Sequence, residues 1–345
     1  MAYTTIKKPE DYFNTKLYTG NASTNAITGV GHQPDMVWLK SRDFVQNHEM
    51  YDAVRTATKR IYPNGTYVED TDTAGLTAFN SDGFTLGSSN SSNKNGNTFA
   101  SWNWKAGTTG SGTTTGSGTG KAYSYSVNTT GGFSIVKYKG NGTAGHTIPH
   151  HLGAVPKMVI TKRLDSTTDW MTYHASLGND KKVAINTTGA SESSGSVWNS
   201  TTPTSSVLAV GTSADTNNNN SDIVAYFFAE KTGYSKIGSY EGNSNADGTF
   251  VYCGFKPAFV LSRDADGAGE NWFIHDNKRN TFNPTNTYLR PNLTNGDGTA
   301  HHYDYYSNGF KNRYAGGSLN SSGRTYIYMA FAEQPLIGDN PATAR

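Results

Sequence analysis

The chain carries a single cysteine, Cys253, in 345 residues, so it forms no disulfide within itself and holds no multi-cysteine metal site. It has almost no net charge. Lys+Arg 29 against Asp+Glu 27 leave +2, too weak a field to argue for nucleic acid or an anionic membrane as partner. Apolar residues are scarce at 34%, and no run approaches the roughly 18 apolar residues that a membrane helix needs. The opening MAYTTIKKPEDYF lacks the apolar stretch of a signal peptide, so synthesis in the cytoplasm without a leader is the expectation. Heptads and a Rossmann-like alternation of strands and helices are missing as well. Stability must come from packing or from assembly.

What the chain has in quantity is Gly (38), Tyr (21) and abundant Ser, Thr and Asn. These polar residues compete with helical backbone bonds, and Tyr favours strands, so the composition predicts an all-β chain of several modest cores. A repeat organises it. GHQPDMVWLKSRD at 31, GAVPKMVITKRLD at 153 and GFKPAFVLSRDAD at 254 each keep Gly, then Pro three positions on, then a short apolar run, then a basic residue. The anchors are Gly31 and Pro34, Gly153 and Pro156, Gly254 and Pro257, spaced by 122 (153 minus 31) and 101 (254 minus 153) residues. Before each anchor stands Tyr-x-Gly-Asn, at Tyr18, Tyr138 and Tyr240, and each unit closes on an alternating aromatic segment starting at Phe99, Ile223 or Tyr326. Units one and three also share Asn/Asp-Gly-Phe, at Asp82–Phe84 and Asn308–Phe310.

Gly permits a sharp turn and Pro cannot donate to a ladder, so each anchor predicts a turn into a strand. Met36–Leu39, Met158–Ile160 and Phe259–Leu261 are apolar at every position, which predicts core strands covered on both faces. The closing segments, with Trp102/Trp104, Tyr226/Phe228 and Met329/Phe331 in alternation, predict antiparallel strands. The expected architecture is tandem antiparallel β-sandwich units built from three divergent repeats. The expected boundaries are an N-terminal anchor segment over 1–16, unit 1 over 17–106, a flexible Gly/Ser/Thr linker over 107–121, unit 2 over 122–234 and unit 3 over 235–345. Units 2 and 3 are expected to pack closely, facing a separate unit 1. Tyr51–Ile61 is the one candidate helix, and Arg42, Arg163 and Arg263, with Trp170 and Trp272, read as repeated packing pieces.

Catalytic signatures are not met. GSGTGK, ending at Lys121, has Thr115 where a phosphate loop needs its first Gly and Ala122 where it needs Ser or Thr. No Gly-x-Ser-x-Gly elbow occurs. The pairs His150–His151 and His301–His302 are adjacent residues, expected in loops, and strand neighbours point apart, so neither pair suits a metal. DADGAGE from Asp264 and EDTDTAG from Glu69 offer oxygens without a calcium-loop spacing, so no cofactor is assigned and only a surface calcium is left open. Glu230 and Glu333 sit at matching strand ends, and no carboxylate pair for glycoside cleavage is selected by the sequence.

Recognition chemistry is richer. HHYDYYSNGF from His301, the Asn217–Asn220 run and NPTNTYLRPN around Asn283 combine Tyr, which stacks on sugar rings, with Asn, which donates and accepts. The candidate ligand-binding set is His301, His302, Tyr303, Tyr305, Tyr306 and Asn308.

The opening MAYTTIKKPEDYFNTKLYTGN, GVGHQPDMVWLKSRD with MYDAVRTATKR, and the stretches KYKGNGTAGHTIPHHLGAVPKMVITK and YIYMAFAEQP together resemble a family of tailed-phage virion proteins of marine phage type. The resemblance spans almost the whole chain. It implies a non-enzymatic virion structural protein with β-sandwiches of lectin-like, jelly-roll type, a tail fibre or receptor-binding protein contacting host surface glycan. It also implies a homotrimer joined to other virion proteins through its N-terminal region, sited on the tail in preference to the capsid, with neither nucleic acid nor membrane insertion. The alternatives are a capsid decoration or cement protein and, behind it, a glycan-degrading tail enzyme.

Overall fold

In the computed structural model, which describes residues 4–337 and 341–342, each Gly-x-x-Pro segment leads into a strand buried on both faces. The chain is all-β and its sheets are antiparallel. Three units repeat one strand order: opening, closing, core, outer. The opening strands are Phe13–Thr19, Phe133–Lys139 and Ser235–Glu241. The closing strands are Thr98–Trp104, Asp222–Phe228 and Thr325–Pro335. The core strands are Met36–Ser41, Met158–Arg163 and Phe255–Asp264, and the outer strands are Glu49–Asp52, Met171–His174 and Trp272–Asp276.

The unbroken apolar runs now have their physical reason. Met36 and Trp38, Met158 and Ile160, Phe259 and Leu261 point into one core common to all three units. The alternate residues Val37 and Leu39, Val159, and Val260 point the other way, into cores private to units 1, 2 and 3. A strand with two covered faces cannot alternate. The closing strands add Trp102, Trp104, Tyr226, Phe228, Met329 and Phe331 to the common core. Unit 1 is therefore not separate, as the linker suggested, but one third of a shared interior.

The units also join in a closed cycle. Tyr226 Oη of unit 2 donates to Asp52 of unit 1 at 2.6 Å, Trp102 Nε1 of unit 1 donates to Asp276 of unit 3 at 3.1 Å, and His174 of unit 2 meets the Tyr328 carbonyl of unit 3 at 3.2 Å. Asp52, His174 and Asp276 are equivalent positions, each ending an outer strand. Four residues earlier, His48, Trp170 and Trp272 reach carbonyls of Arg290, Tyr62 and Ala184, again one unit round. Such head-to-tail contacts close a ring when the rotation returns on itself, so one chain has an internal threefold plan.

The Tyr-x-Gly-Asn signature is a latch. The hydroxyls of Tyr18, Tyr138 and Tyr240 donate to carbonyls of Ser92, Thr216 and Leu319, on the short helices Asn90–Asn93, Ala214–Asn217 and Gly317–Asn320. The last residue of each helix, buried Asn93, Asn217 or Asn320, accepts the backbone N–H of the signature Asn at 2.9–3.0 Å. Gly140 between them lies so near the Asn218 carbonyl that a Cβ would stand 2.3 Å from that oxygen; Gly20 and Gly242 are placed alike, at 2.2 Å. Gly140→Ala should thus cost about 1–3 kcal/mol, as overpacking does, with Gly20→Ala and Gly242→Ala alike. Urea midpoints measure this, and a loss at only one position would show that the three latches are not equivalent.

Several expectations are corrected. Gly107–Gly120 is no tether: Thr108–Thr113 pairs along Ala122–Val127, and Thr115–Gly116 pairs with His146–Thr147. The bare glycines are covered by aromatic rings, since a Cβ on Gly110 or Gly112 would strike the Tyr125 or Tyr123 hydroxyl. Of the anchor segment 1–16, residues 1–3 lie outside the described residues, while Ile6 and Phe13 are buried in the common core and Phe13 stacks on Phe331. Tyr51–Ile61 is not a helix, because Thr56 and Thr58 take positive φ between the strands Glu49–Asp52 and Lys59–Arg60. Gly31, Gly153 and Gly254 turn with positive φ as expected, but Pro257, unlike Pro34 and Pro156, lies inside its strand at a register shift.

The repeated cation is also reassigned. Lys40, Lys162 and Arg263 are equivalent, pairing with Ala100, Val224 and Ile327, and all three are buried. Lys162 reaches the Thr66 carbonyl of unit 1 and Arg263 reaches the Thr187 and Gly189 carbonyls of unit 2, so each stitches its unit to the one before. Arg42 and Arg163 lie two and one residues off this register and pair with Asp297 and Asp165.

Candidate functional site

Unit 3 differs from its siblings in its second layer. There Phe250–Tyr252, Gly309–Asn312 and Gly298–Tyr306 pair in that order, and Thr285–Leu289 links them to the outer strand to make one eight-stranded sheet. Residues of a strand alternate between faces, and HHYDYY divides accordingly. Tyr303 and Tyr305 are fully buried in the private core of unit 3, where the Tyr303 hydroxyl bonds Ser262 and Tyr240. They are packing residues and cannot meet a ligand. His302, Asp304 and Tyr306 point outward and stay partly exposed. His301 lies on the same strand, not in a loop. Asn308 forms the turn, its carbonyl accepting the N–H groups of Cys253 and Gly254.

The register sets two outward rows. Phe250 pairs with Lys311 and Lys311 with Asp304; Tyr252 pairs with Gly309 and Gly309 with Tyr306. Gly309 is required here, because a Cβ would lie 2.0 Å from the Val251 carbonyl and 3.1 Å from the Phe250 ring. Phe250 meets Tyr306 edge to face at 6.0 Å. Phe250 is 43% and Tyr252 55% exposed, and although Tyr67 and Phe282 are exposed as well, Phe250 and Tyr252 stand together on one face of one strand and make a patch. Sequence reasoning missed both, because FVY at 250 carries no loop chemistry.

Polar groups border this strip. Arg313 lies 3.3 Å from Asp304 and 2.9 Å from Asp247, and Lys311 lies 2.5 Å from Asp247. The adjacent Lys311 holds the Asp247 carboxyl below its ordinary range. A depression of about 420 Å³ opens between Ala246, Pro284, His302, Asp304 and Arg313. Beyond Tyr252 a second one, of about 330 Å³, is lined by Glu230, Lys236 and Cys253. Burial pushes the Cys253 thiol well up, which removes it as a nucleophile at neutral pH.

The chain supplies its own comparison. The matching rows of unit 1 are Ala26–Thr85–Ala78 and Thr28–Gly83–Asn80, with Gly83 as close to the Ile27 carbonyl as Gly309 is to that of Val251. The backbone device is common to both units, while the aromatic rings and charges belong to unit 3. The other candidates are structural. Asn217 is a latch residue, and Asn283 bonds the backbone of Tyr305 in both directions. Glu69 pairs with Arg55, Asp70 and Asp72 with Arg60, and Asp264 with Arg324, so these oxygens are engaged by cationic side chains. Glu230 and Glu333 pair with Lys236 and Lys256. Among the described residues no helix is long and apolar enough to cross a membrane.

Residues 8–335 match the family described as a domain of unknown function (DUF7483), and the chain belongs to that family. No curated protein and no solved structure matches it.

Proposed function

We propose that the chain is a non-enzymatic virion structural protein of a tailed phage, a tail fibre or receptor-binding protein that contacts host surface glycan through the outward face of unit 3. The observation that carries this reading is the internal comparison: on a backbone arrangement common to units 1 and 3, only unit 3 bears exposed Phe250 and Tyr252 beside paired charges. Aromatic rings kept in water lower solubility unless a ligand covers them. The binding set is accordingly His302, Tyr306, Phe250 and Tyr252, with Asp304 and Arg313 at its edge. Ring-shaped packing of three units supports the reading as a rigid head. Because the threefold plan lies within one chain, the proposal does not lean on a homotrimer.

Immunogold electron microscopy of intact phage, with antibody raised against the folded chain, tests the placement. Label on the tail or its fibres is the expected result. Label spread over the head would replace the reading with capsid decoration, and depolymerisation of host polysaccharide by the purified chain would replace it with a tail enzyme.

A further inference from the structure

We propose that the outward face of unit 3 takes a neutral pyranose glycan and discriminates against glycans bearing carboxylate, sulfate or phosphate. This inference rests on the reading of that face as a glycan contact and adds the chemical class. Its ground is how the charges around the aromatic strip are disposed.

The three cations placed beside the strip, Lys311, Arg313 and Lys236, each face a carboxylate of the chain itself. In one depression and along its rim, Lys311 and Arg313 are held by Asp247 and Asp304 at 2.5–3.3 Å. In the other, Lys236 is 3.3 Å from Glu230. Three positive groups thus stand against three negative ones, and this set offers an anion no surplus positive charge. An anionic sugar would have to break an existing pair and leave its carboxylate beside the incoming charge, a like-charge contact that opposes binding. A neutral sugar has no such conflict. Its hydroxyls donate to Asp304 or Glu230 and accept from Arg313 or Lys236, and hydrogen bonds to ionised partners are the stronger kind.

The rings set the other half of the site. Phe250 and Tyr252 stand on one strand and Tyr306 two strands away, at roughly 9.5 Å between strand axes. A pyranose presents one flat face of C–H groups, which an exposed ring covers while the rim hydroxyls reach the paired charges on either side. Aromatic surface below and satisfied polar groups at the edge is the usual composition of a small-ligand site.

The test is saturation-transfer NMR and calorimetry on the full chain. Maltohexaose, cellohexaose and mannohexaose serve as neutral probes, with oligogalacturonate and dextran sulfate as anionic ones. At least one neutral probe is expected to bind, with affinity unchanged within about twofold between roughly 50 and 500 mM NaCl. The anionic probes are expected to bind at least about tenfold more weakly. Tyr252→Ala should weaken neutral binding by about tenfold or more while Tyr252→Phe retains it; unchanged urea midpoints would show both variants folded. Stronger binding of an anionic probe, falling with salt, would overturn this inference and leave the glycan-contact reading standing. Binding by none of the probes would overturn both. Neutral binding untouched by Tyr252→Ala would move the site off this face and overturn the inference.

Discussion

Replacing Asp276 by alanine is expected to lower the stability of the chain by about 3–5 kcal/mol, the usual cost of stripping one partner from a buried ion pair. Asp276 and Arg279 have fully buried side chains 2.7 Å apart. Burial alone would push the Asp276 carboxyl up, but the guanidinium beside it outweighs that and holds it below the ordinary range. The same carboxylate accepts the backbone N–H groups of Lys278 and Arg279 and the indole N–H of Trp102. One substitution therefore removes the closer partner of a buried cation, frees a turn and breaks the junction of unit 3 with unit 1. Asp297, 3.1 Å from Arg279, stays in place, which sets the expectation toward the lower end of the range. Urea unfolding provides the measurement. Asp276→Ala combined with Arg279→Met should recover part of the loss, because no buried charge is then left unpaired. A loss below about 1 kcal/mol for Asp276→Ala would mean that this junction does not hold the ring.

Acid should unfold the protein well before its carboxylates titrate in bulk. Burial lowers His32, His150 and His174 from 6.5 to about 4, and lowers His48 and His146 as well. A base with a depressed folded pKa binds its proton more readily in the unfolded chain. The stability its neutral form provides is complete above pH 6.5 and is lost as pH falls toward 4. For each of the three histidines the loss is about 3 kcal/mol at most. Asp35 works the other way: burial raises it to about 6, so the fold gains proton affinity there and recovers stability as pH falls. Burial raises Glu49 and Asp215 as well, so three carboxyls of that sign stand against the five histidines, which leaves a net loss across the window. Urea midpoints followed from pH 7 to 4 should fall steeply, and His174→Gln should reduce the slope by about one proton. A flat profile between pH 6.5 and 4.5 would show that these histidines are not held neutral.

Much of the architecture was legible because its causes are local. Met36–Leu39 had to be covered on both faces, since an unbroken apolar run leaves no solvent side, and the common and private cores are those two covers. The Tyr-x-Gly-Asn signature recurs because it serves one geometry three times, with Gly140 against a carbonyl and Tyr138 and Asn141 bonded to a neighbouring helix. Composition misled at Gly107–Gly120. A stretch without core-forming side chains looks like a tether unless the rings that will lie across its glycines, Tyr123 and Tyr125, are known to be opposite.

The candidate site was half legible, and the failure has a geometric cause. HHYDYY marks a Tyr-rich element, but a strand alternates its faces, and a slip of one residue would exchange buried Tyr303 and Tyr305 for His302, Asp304 and Tyr306. Local pattern does not choose between the two registers when both sets contain tyrosine. By itself the sequence determined an all-β chain, the repeated motif and the strands that had to be buried, because side-chain hydrophobicity and turn chemistry act over a few residues. Tertiary structure alone decided which tyrosines face water, that Phe250 and Tyr252 flank them, and that the three units close into a ring. Those outcomes depend on pairing between residues far apart in the chain, such as Trp102 with Asp276 across 174 positions, which no local pattern encodes.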